Sequence, residues 1–237
     1  MLKFVVVDDE PLALEVLDGY LKKLDDVGSV HLFGNAGDAI RHLVKNQADI
    51  LLLDIEMPEM TGIEFLTYLP DPPLTVFTTA YRNYAFEGYE LGVIDFLLMP
   101  VSFNRFQQAI AKIREFLALK EQHINLEKIP GDEKTEFIFV KSGVQRIKLQ
   151  FSDVTYIQGL KDYAIIYTHS GKILLKGSIK AMLDIFPQDR FIRVHKSFIV
   201  STEKITRLER NRIVMNGQQI PIGRNFRDQL EKTLNAR

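Results

Sequence analysis

A doubly wound α/β sheet of five parallel strands, followed by a second, mainly β domain, is the architecture this sequence predicts, and three observations lead to it. Two continuous apolar runs, Phe4-Val5-Val6-Val7 and Ile50-Leu51-Leu52-Leu53, each stop on acid, at Asp8-Asp9-Glu10 and at Asp54. Runs of this length followed by a helical pattern read as parallel strands buried on both faces. The strand-then-helix grammar recurs five times in the first half, which makes a doubly wound sheet. After residue 136 the grammar changes to short alternating strands broken by glycine turns, and the charge reverses: residues 1–136 hold 12 Lys+Arg against 23 Asp+Glu, a net of −11, and residues 137–237 hold 18 against 8, a net of +10.

Taken in order, strands are expected near 3–7, 29–33, 49–53, 74–78 and 94–98, and helices near 11–24, 36–45, 62–69, 82–91 and 102–120. Pro11 suits a helix N1 position, where its missing N–H costs nothing. Leu14, Leu17, Leu21 and Leu24 recur at helical spacing and are read as core. The helical period fades after Ala118, and Pro130-Gly131 punctuates a charged stretch, so the chain divides into a first domain over 1–120, a linker over 121–136 and a second domain over 137–237. In the latter, Phe137–Val140, Tyr163–Tyr167, Lys172–Leu175 and Ile213–Met215 are expected strands, with Ser142-Gly143, Ser170-Gly171 and Asn216-Gly217 as turn signals. Helices are expected only over Ser178–Phe186, opened by a serine cap, and Asn225–Leu234.

Composition narrows the function. The chain has 237 residues, 46% hydrophobic and 26% charged, and no cysteine, so disulfides and thiolate metal sites are excluded. Its start leads straight into a strand, and no apolar stretch is long enough to span a bilayer, which predicts a cytoplasmic protein without a membrane partner. Ligands of open α/β sheets bind at the carboxyl ends of the strands, where Asp8, Asp9 and Asp54 gather. Three carboxylates there repel one another, and a hard cation such as Mg²⁺ would hold them together and also grip a phosphate. Acid at the strand ends thus points to metal-assisted phosphoryl chemistry. The basic second half carries the electrostatic footprint of nucleic-acid binding.

Three strings carry a family resemblance: Val5-Val6-Val7-Asp8-Asp9-Glu10, Leu53-Asp54-Ile55-Glu56-Met57-Pro58-Glu59-Met60-Thr61-Gly62, and Phe77-Thr78-Thr79-Ala80-Tyr81. Together they resemble the receiver domain of two-component response regulators, a flavodoxin-like fold, over residues 1 to about 120. The resemblance implies that Asp54 is the phosphoacceptor, taking its group from a phosphohistidine of a sensor histidine kinase. It also implies Mg²⁺ held by Asp9 directly, by Asp8 through water, by Asp54 and by the backbone carbonyl of Glu56. Thr79 and Phe96 take the places of the family's switch residues, Phe96 with plain core packing as its alternative. One position departs: where the family has a lysine before proline at the end of the fifth strand, this chain has Met99 before Pro100. A thioether cannot compensate a phosphoryl charge, so the link between phosphorylation and output is expected to be looser. Arg82 is a candidate substitute cation.

The second half resembles the LytTR DNA-binding domain, through Phe151–Ile157, Tyr163-Ala164-Ile165, Phe191–Val200 and Ile220–Phe226. The resemblance implies loops of a β fold entering successive major grooves, with Lys196, Arg224 and Lys161 at positions of DNA contact. Arg224 is the best base reader, since a guanidinium pairs bidentately with guanine. Lys141, Arg146, Lys148, Arg207, Arg210 and Arg212 are read as phosphate or solvent contacts, and His195 as packed rather than base-reading. No serine-histidine-acid set, glycine-rich phosphate loop or His-Glu metal motif occurs here, so an enzymatic output is not expected. The resemblance as a whole is to a LytTR-type response regulator. Its leading reading is a regulator whose phosphorylation pairs two chains on repeated DNA half-sites. The alternative is a phosphorylation-independent DNA binder whose receiver is an interaction or dimerisation module.

Overall fold

The computed structural model describes residues 1–80, 92–121, 124–126, 136–142, 145–215 and 217–235. The chain divides into two compact units, Met1–Arg114 and Glu115–Arg237. In the first, strands β1 (Leu2–Val7), β2 (Val27–Phe33), β3 (Ile50–Asp54), β4 (Leu74–Thr79) and β5 (Asp95–Leu98) form a parallel sheet in the order β2-β1-β3-β4-β5. That order reverses direction beside β1 and β3, which places their carboxyl ends at the switch point where such sheets bind ligands. Every residue of β3 and β4 is buried, as their uninterrupted apolar runs require.

The helices of this unit are α1 (Pro11–Leu21), α2 (Ala36–Lys45), α3 (Gly62–Tyr68) and the amino-terminal part of α4 (Phe103–Glu121). Pro11 stands in the first turn of α1, as expected. The buried line of α1 is Ala13, Leu17 and Leu21, an i, i+4 ladder facing the sheet; Leu14 and Leu24 flank it half-buried, and Leu24 falls beyond the helix end. The expected helix over 82–91 lies outside the described residues. Val5, Val7, Leu51, Leu53, Phe65 and Phe77 form one core cluster, each such side chain contributing roughly 1.5–3 kcal/mol by leaving water. On α4, Phe106, Ala109, Ile110 and Ile113 are buried.

An ion cluster around the buried Asp95 fastens α4 to β5. Arg105 donates to both oxygens of Asp95 at 2.8 Å and to the Phe96 carbonyl at 2.7 Å, while Lys112 lies 3.0 Å from the same carboxylate. Burial pushes the Asp95 carboxyl up, but the Arg105 hydrogen bonds and the Lys112 and Arg105 charges outweigh it and hold it below its ordinary value.

The second unit is mainly β. Strands β6 (Ile124–Leu126), β7 (Phe137–Ser142) and β8 (Gln145–Gln150) make one antiparallel sheet. Within the stretch read as a linker, Ile124–Leu126 is therefore a strand; its apolar residues are too few to announce a period, and pairing with β7 decides its conformation. The main sheet runs β11-β10-β9-β13-β12, from β9 (Val154–Leu160), β10 (Tyr163–Thr168), β11 (Gly171–Lys176), β12 (Phe191–His195) and β13 (Phe198–Ser201). The third sheet contains β14 (Arg207–Glu209), β15 (Arg212–Met215) and β16 (Gln218–Pro221). Helix α5 (Ile179–Leu183) is capped by the Ser178 side chain, which accepts from the Ala181 N–H. A 3₁₀ turn over Arg224–Phe226 precedes α6 (Arg227–Asn235), where the sequence suggested one helix from Asn225. Gly143 and Asn216 of the expected turns lie outside the described residues, whereas Gly171 (φ +145°) closes the β10–β11 hairpin. Phe151, Phe186 and Phe191 pack mutually at centroid distances of 5.0–6.2 Å. No described helix is long and apolar enough to cross a membrane.

Asp95→Ala should destabilise the protein by about 1–2 kcal/mol at neutral pH, because Arg105 and the Phe96 N–H lose their acceptor while the partly exposed Arg105 and Lys112 regain water. The Asp95 contribution is complete above the carboxyl's unfolded value and is lost as pH falls through its lower folded value. Urea melts of the two proteins should accordingly converge on acidification, and a difference that persists at the acid end would remove the ion cluster as its cause.

Candidate functional site: an acidic pocket and a basic edge

The pocket is assembled from backbone outward. Asp54 is the last residue of β3, and Asp8 and Asp9 directly follow β1. The Asp8 N–H donates to the Phe33 carbonyl at 3.1 Å, and Ile55 N–H donates to the Thr78 carbonyl at 3.1 Å. Parallel pairing thus sets both acids at one height. One carboxylate oxygen from each of Asp8, Asp9 and Asp54 lies within 4.8 Å of the others, and Asp8 and Asp54 are buried.

The loop after Asp54 explains the spacing of its motif. Met57 is buried in the core cluster, and Glu59 takes φ +70°. Thr61 then closes a capping box with Glu64, starting α3. Gly62 N–H donates to the Ile55 carbonyl at 2.8 Å, and a Cβ on Gly62 would stand 2.2 Å from the Asp54 carbonyl oxygen. Only glycine permits that approach.

Electrostatically the pocket is unbalanced. Burial, then the Asp8 and Asp9 charges, push the Asp54 carboxyl up to about 7, against the N–H groups of Ile55 and Glu56 that pull it down. Burial likewise leads in raising Asp8 to about 6, with Asp9 and Glu10 adding to it and the Glu10 N–H opposing. Glu56 is exposed in the loop that follows β3. Three converging carboxylate oxygens are the donor set a hard divalent ion takes.

Around the pocket, Thr79 ends β4 fully buried, and Phe96 is half-buried against the core cluster. Met99 follows β5; its N–H donates to the Thr79 carbonyl at 2.7 Å and its bond to Pro100 is cis. The residue in the lysine's place is thereby tied to the strand end that carries Thr79. Arg82 lies outside the described residues.

The expected DNA contacts are brought to one edge of the second unit. Lys161 turns the β9–β10 hairpin at φ +53° and is exposed. Lys196 is exposed between β12 and β13, a turn joined to β9 by the Gly159 N–H, 2.8 Å from the Ser197 carbonyl. Arg224 is exposed at the 3₁₀ turn, whose preceding Gly223 donates to the Val194 carbonyl at 2.9 Å. Since β9 and β13 run antiparallel, all three cations stand at the end where β9 and β12 finish. His195 is buried and its Nδ1 accepts from the Ser197 N–H at 3.2 Å, so it packs as expected.

Sequence reasoning missed the brace beneath this edge. Arg193 donates to the carbonyls of His195 (3.1 Å) and Lys196 (2.7 Å) and stacks 5.5 Å from the Phe226 ring centroid. It thus fixes the Lys196 turn against the Arg224 turn. Its only sequence signal was a charged residue inside an otherwise buried strand, between Ile192 and Val194. Among the other cations, Arg207 and Arg212 pair with Glu209, and Lys148 sits over the Phe137 ring.

Comparison with known proteins agrees on both halves. A family model for the response regulator receiver domain matches residues 4–111, and one for the LytTr DNA-binding domain matches residues 145–235. The chain is 30% identical over 245 residues to the transcriptional regulatory protein BtsR of Escherichia coli K12, covering 99% of each. It is 28% identical over 253 residues to the sensory transduction protein LytT of Bacillus anthracis, again covering 99% of each. The response regulatory domain of protein mrkE from Klebsiella pneumoniae is similar at 27% identity, over 51% of this chain and 99% of that one, with a TM-score of 0.45.

The raised carboxyl values make a pH prediction. Groups that hold protons more tightly folded than unfolded stabilise the fold at low pH, and that gain is lost as pH rises through about 6 to 7. In chelator, Asp54→Asn should therefore stabilise the protein at pH 8 by on the order of 1–2 kcal/mol and much less at pH 5, as read from thermal melts. Equal effects at both pH values would show that the raised carboxyl value is not the cause.

Proposed function

Because the chain belongs to the LytTR family of two-component response regulators, a receiver domain joined to a DNA-binding domain, we propose that Asp54 is its phosphoacceptor and that phosphorylation there governs DNA binding. As a member of that family it is a DNA-binding transcription regulator, and its output is not enzymatic. A sensor histidine kinase is the partner its receiver implies, and double-stranded DNA the partner of its second half. The observation that carries the reading is the approach of Asp8, Asp9 and Asp54 within 4.8 Å at the ligand-binding edge of the sheet.

In this reading an Asp54 carboxylate oxygen attacks the phosphorus of a phosphohistidine, a P–O bond forms as the P–N bond breaks, and the kinase imidazole leaves. Asp8, Asp9, Asp54 and the Glu56 carbonyl would hold Mg²⁺, whose charge neutralises phosphoryl oxygens and lets the carboxylates converge. Thr79 would donate its hydroxyl to a phosphoryl oxygen, and Phe96 would follow by repacking. Arg105 grips both Asp95 and the Phe96 carbonyl, so movement of β5 is felt by α4. Functionally we divide the chain into a receiver over 1–120, a linker over 121–136 and a DNA-binding domain over 137–237.

Lys196, Arg224 and Lys161 would contact DNA, Arg224 reading a base and the lysines chiefly positioning. A homodimer would set two such edges on repeated half-sites, gaining affinity through effective concentration without new base contacts. The protein would act in the cytoplasm, beside its DNA. Met99 favours a second reading, in which the receiver pairs chains independently of phosphorylation: a thioether leaves the phosphoryl group without its usual fixed cation.

Phosphotransfer from a purified partner kinase should label the wild type and leave Asp54→Asn unlabelled, and labelling should tighten binding to a repeated DNA element in gel-shift titrations. Labelling without any change in affinity or oligomeric state would favour the second reading, and undiminished labelling of Asp54→Asn would remove Asp54 from its role. Arg224→Ala should weaken binding by about 1–3 kcal/mol and relax preference at one base; a uniform loss across unrelated sequences would make it a phosphate contact.

A further inference from the structure

Neither the pocket nor the basic edge uses a pair of imidazoles on the rim of the first sheet. His31 lies on β2, the outer strand, and His42 in the last turn of α2. Their ring centroids are 4.4 Å apart with 40° between the planes, and Phe33 packs on His42 at 5.1 Å. His31 is exposed and His42 half-buried. One turn on, the Asn46 side-chain amide lies 3.3 Å from His42 Nδ1 and donates to the His42 carbonyl at 3.0 Å.

We propose that His31 and His42 form a two-imidazole site for a divalent late transition ion, distinct in ligand chemistry from the oxygen pocket. Two imidazoles sharing one ion in cis, with metal–nitrogen bonds of about 2.0–2.1 Å, place their ring centres about 4.5–5.2 Å apart. The observed pair reaches that spacing with a small opening. Imidazole suits Zn²⁺, Ni²⁺ and Cu²⁺, whereas carboxylate and carbonyl oxygens suit Mg²⁺, so the two sites sort ions by class. His42 is biased toward the neutral form a metal needs: burial and the neighbouring His31 both pull its pKa below its ordinary value.

Charge also suits a cation. The carboxyl-terminal end of α2 carries partial negative charge. Of the nearby charges on α2, Arg41 is paired with Asp38, and Lys45 is exposed at the helix end. Among the described residues no third acidic or imidazole ligand joins the pair, so water would complete the coordination. The bound ion would fasten the edge strand β2 to α2.

The test is Zn²⁺ titration of the full chain in excess Mg²⁺, which saturates oxygen sites, followed by calorimetry and by thermal melting. Zn²⁺ should raise the melting temperature and bind about tenfold or more weakly to His31→Gln and to His42→Gln, while Asp54→Asn binds as the wild type does. Wild-type affinity in both histidine variants, or no Zn²⁺ binding by the unmodified chain, overturns the proposal. Phosphotransfer to Asp54 should be unchanged in both histidine variants, so this result and that for the phosphoacceptor are read separately.

Discussion

The burial of carboxylates beside one another is the constraint around which the first half of this protein is arranged. Asp8, Asp9 and Asp54 are forced together by strand pairing that the buried runs Phe4–Val7 and Ile50–Leu53 make obligatory. Hydrophobic burial of two central strands supplies far more free energy than a pair of raised carboxyl values withdraws. The fold can therefore keep a strained charge cluster at its edge. The Gly62 approach to the Asp54 carbonyl locks the Asp54 backbone to the start of α3, so that relief must come through the side chains.

Asp95 shows the opposite solution to the same problem. It too is a buried acid at a strand of the same sheet, yet Arg105 and Lys112 surround it and hold its proton off. The two environments move the carboxyls in opposite directions: the paired acid is held below its ordinary value, and the buried acid that faces its own kind is pushed above it. The sequence did not distinguish them, because Arg105 and Lys112 lie ten and seventeen residues beyond Asp95, on a helix whose register with β5 is set by packing.

Much of the architecture was legible. Strands β1, β3 and β4 follow from apolar runs that burial makes strong, and the four described helices from helical spacing. The end of α1 was less so, because Leu24 continues the apolar period although the helix stops before it. Ile124–Leu126 was hidden for a different reason: three residues between charged neighbours become a strand only by pairing with β7. At the sites, the acidic pocket could be read from residues adjacent in sequence to strand ends. The basic edge could not, since Lys161, Lys196 and Arg224 meet only through the antiparallel register of β9 with β13 and the hydrogen bond from Gly223 to Val194.

Arg193 gives the formal charge of the second half a different meaning. Its guanidinium is taken up by two carbonyls and a phenyl ring, as Arg212 is taken up by Glu209 and Gln219. Such cations set the shape of the surface and displace few ions from a duplex. Counterion release on DNA is accordingly governed by the handful of cations at the exposed rim, and the excess of basic over acidic residues overstates the number of phosphates neutralised.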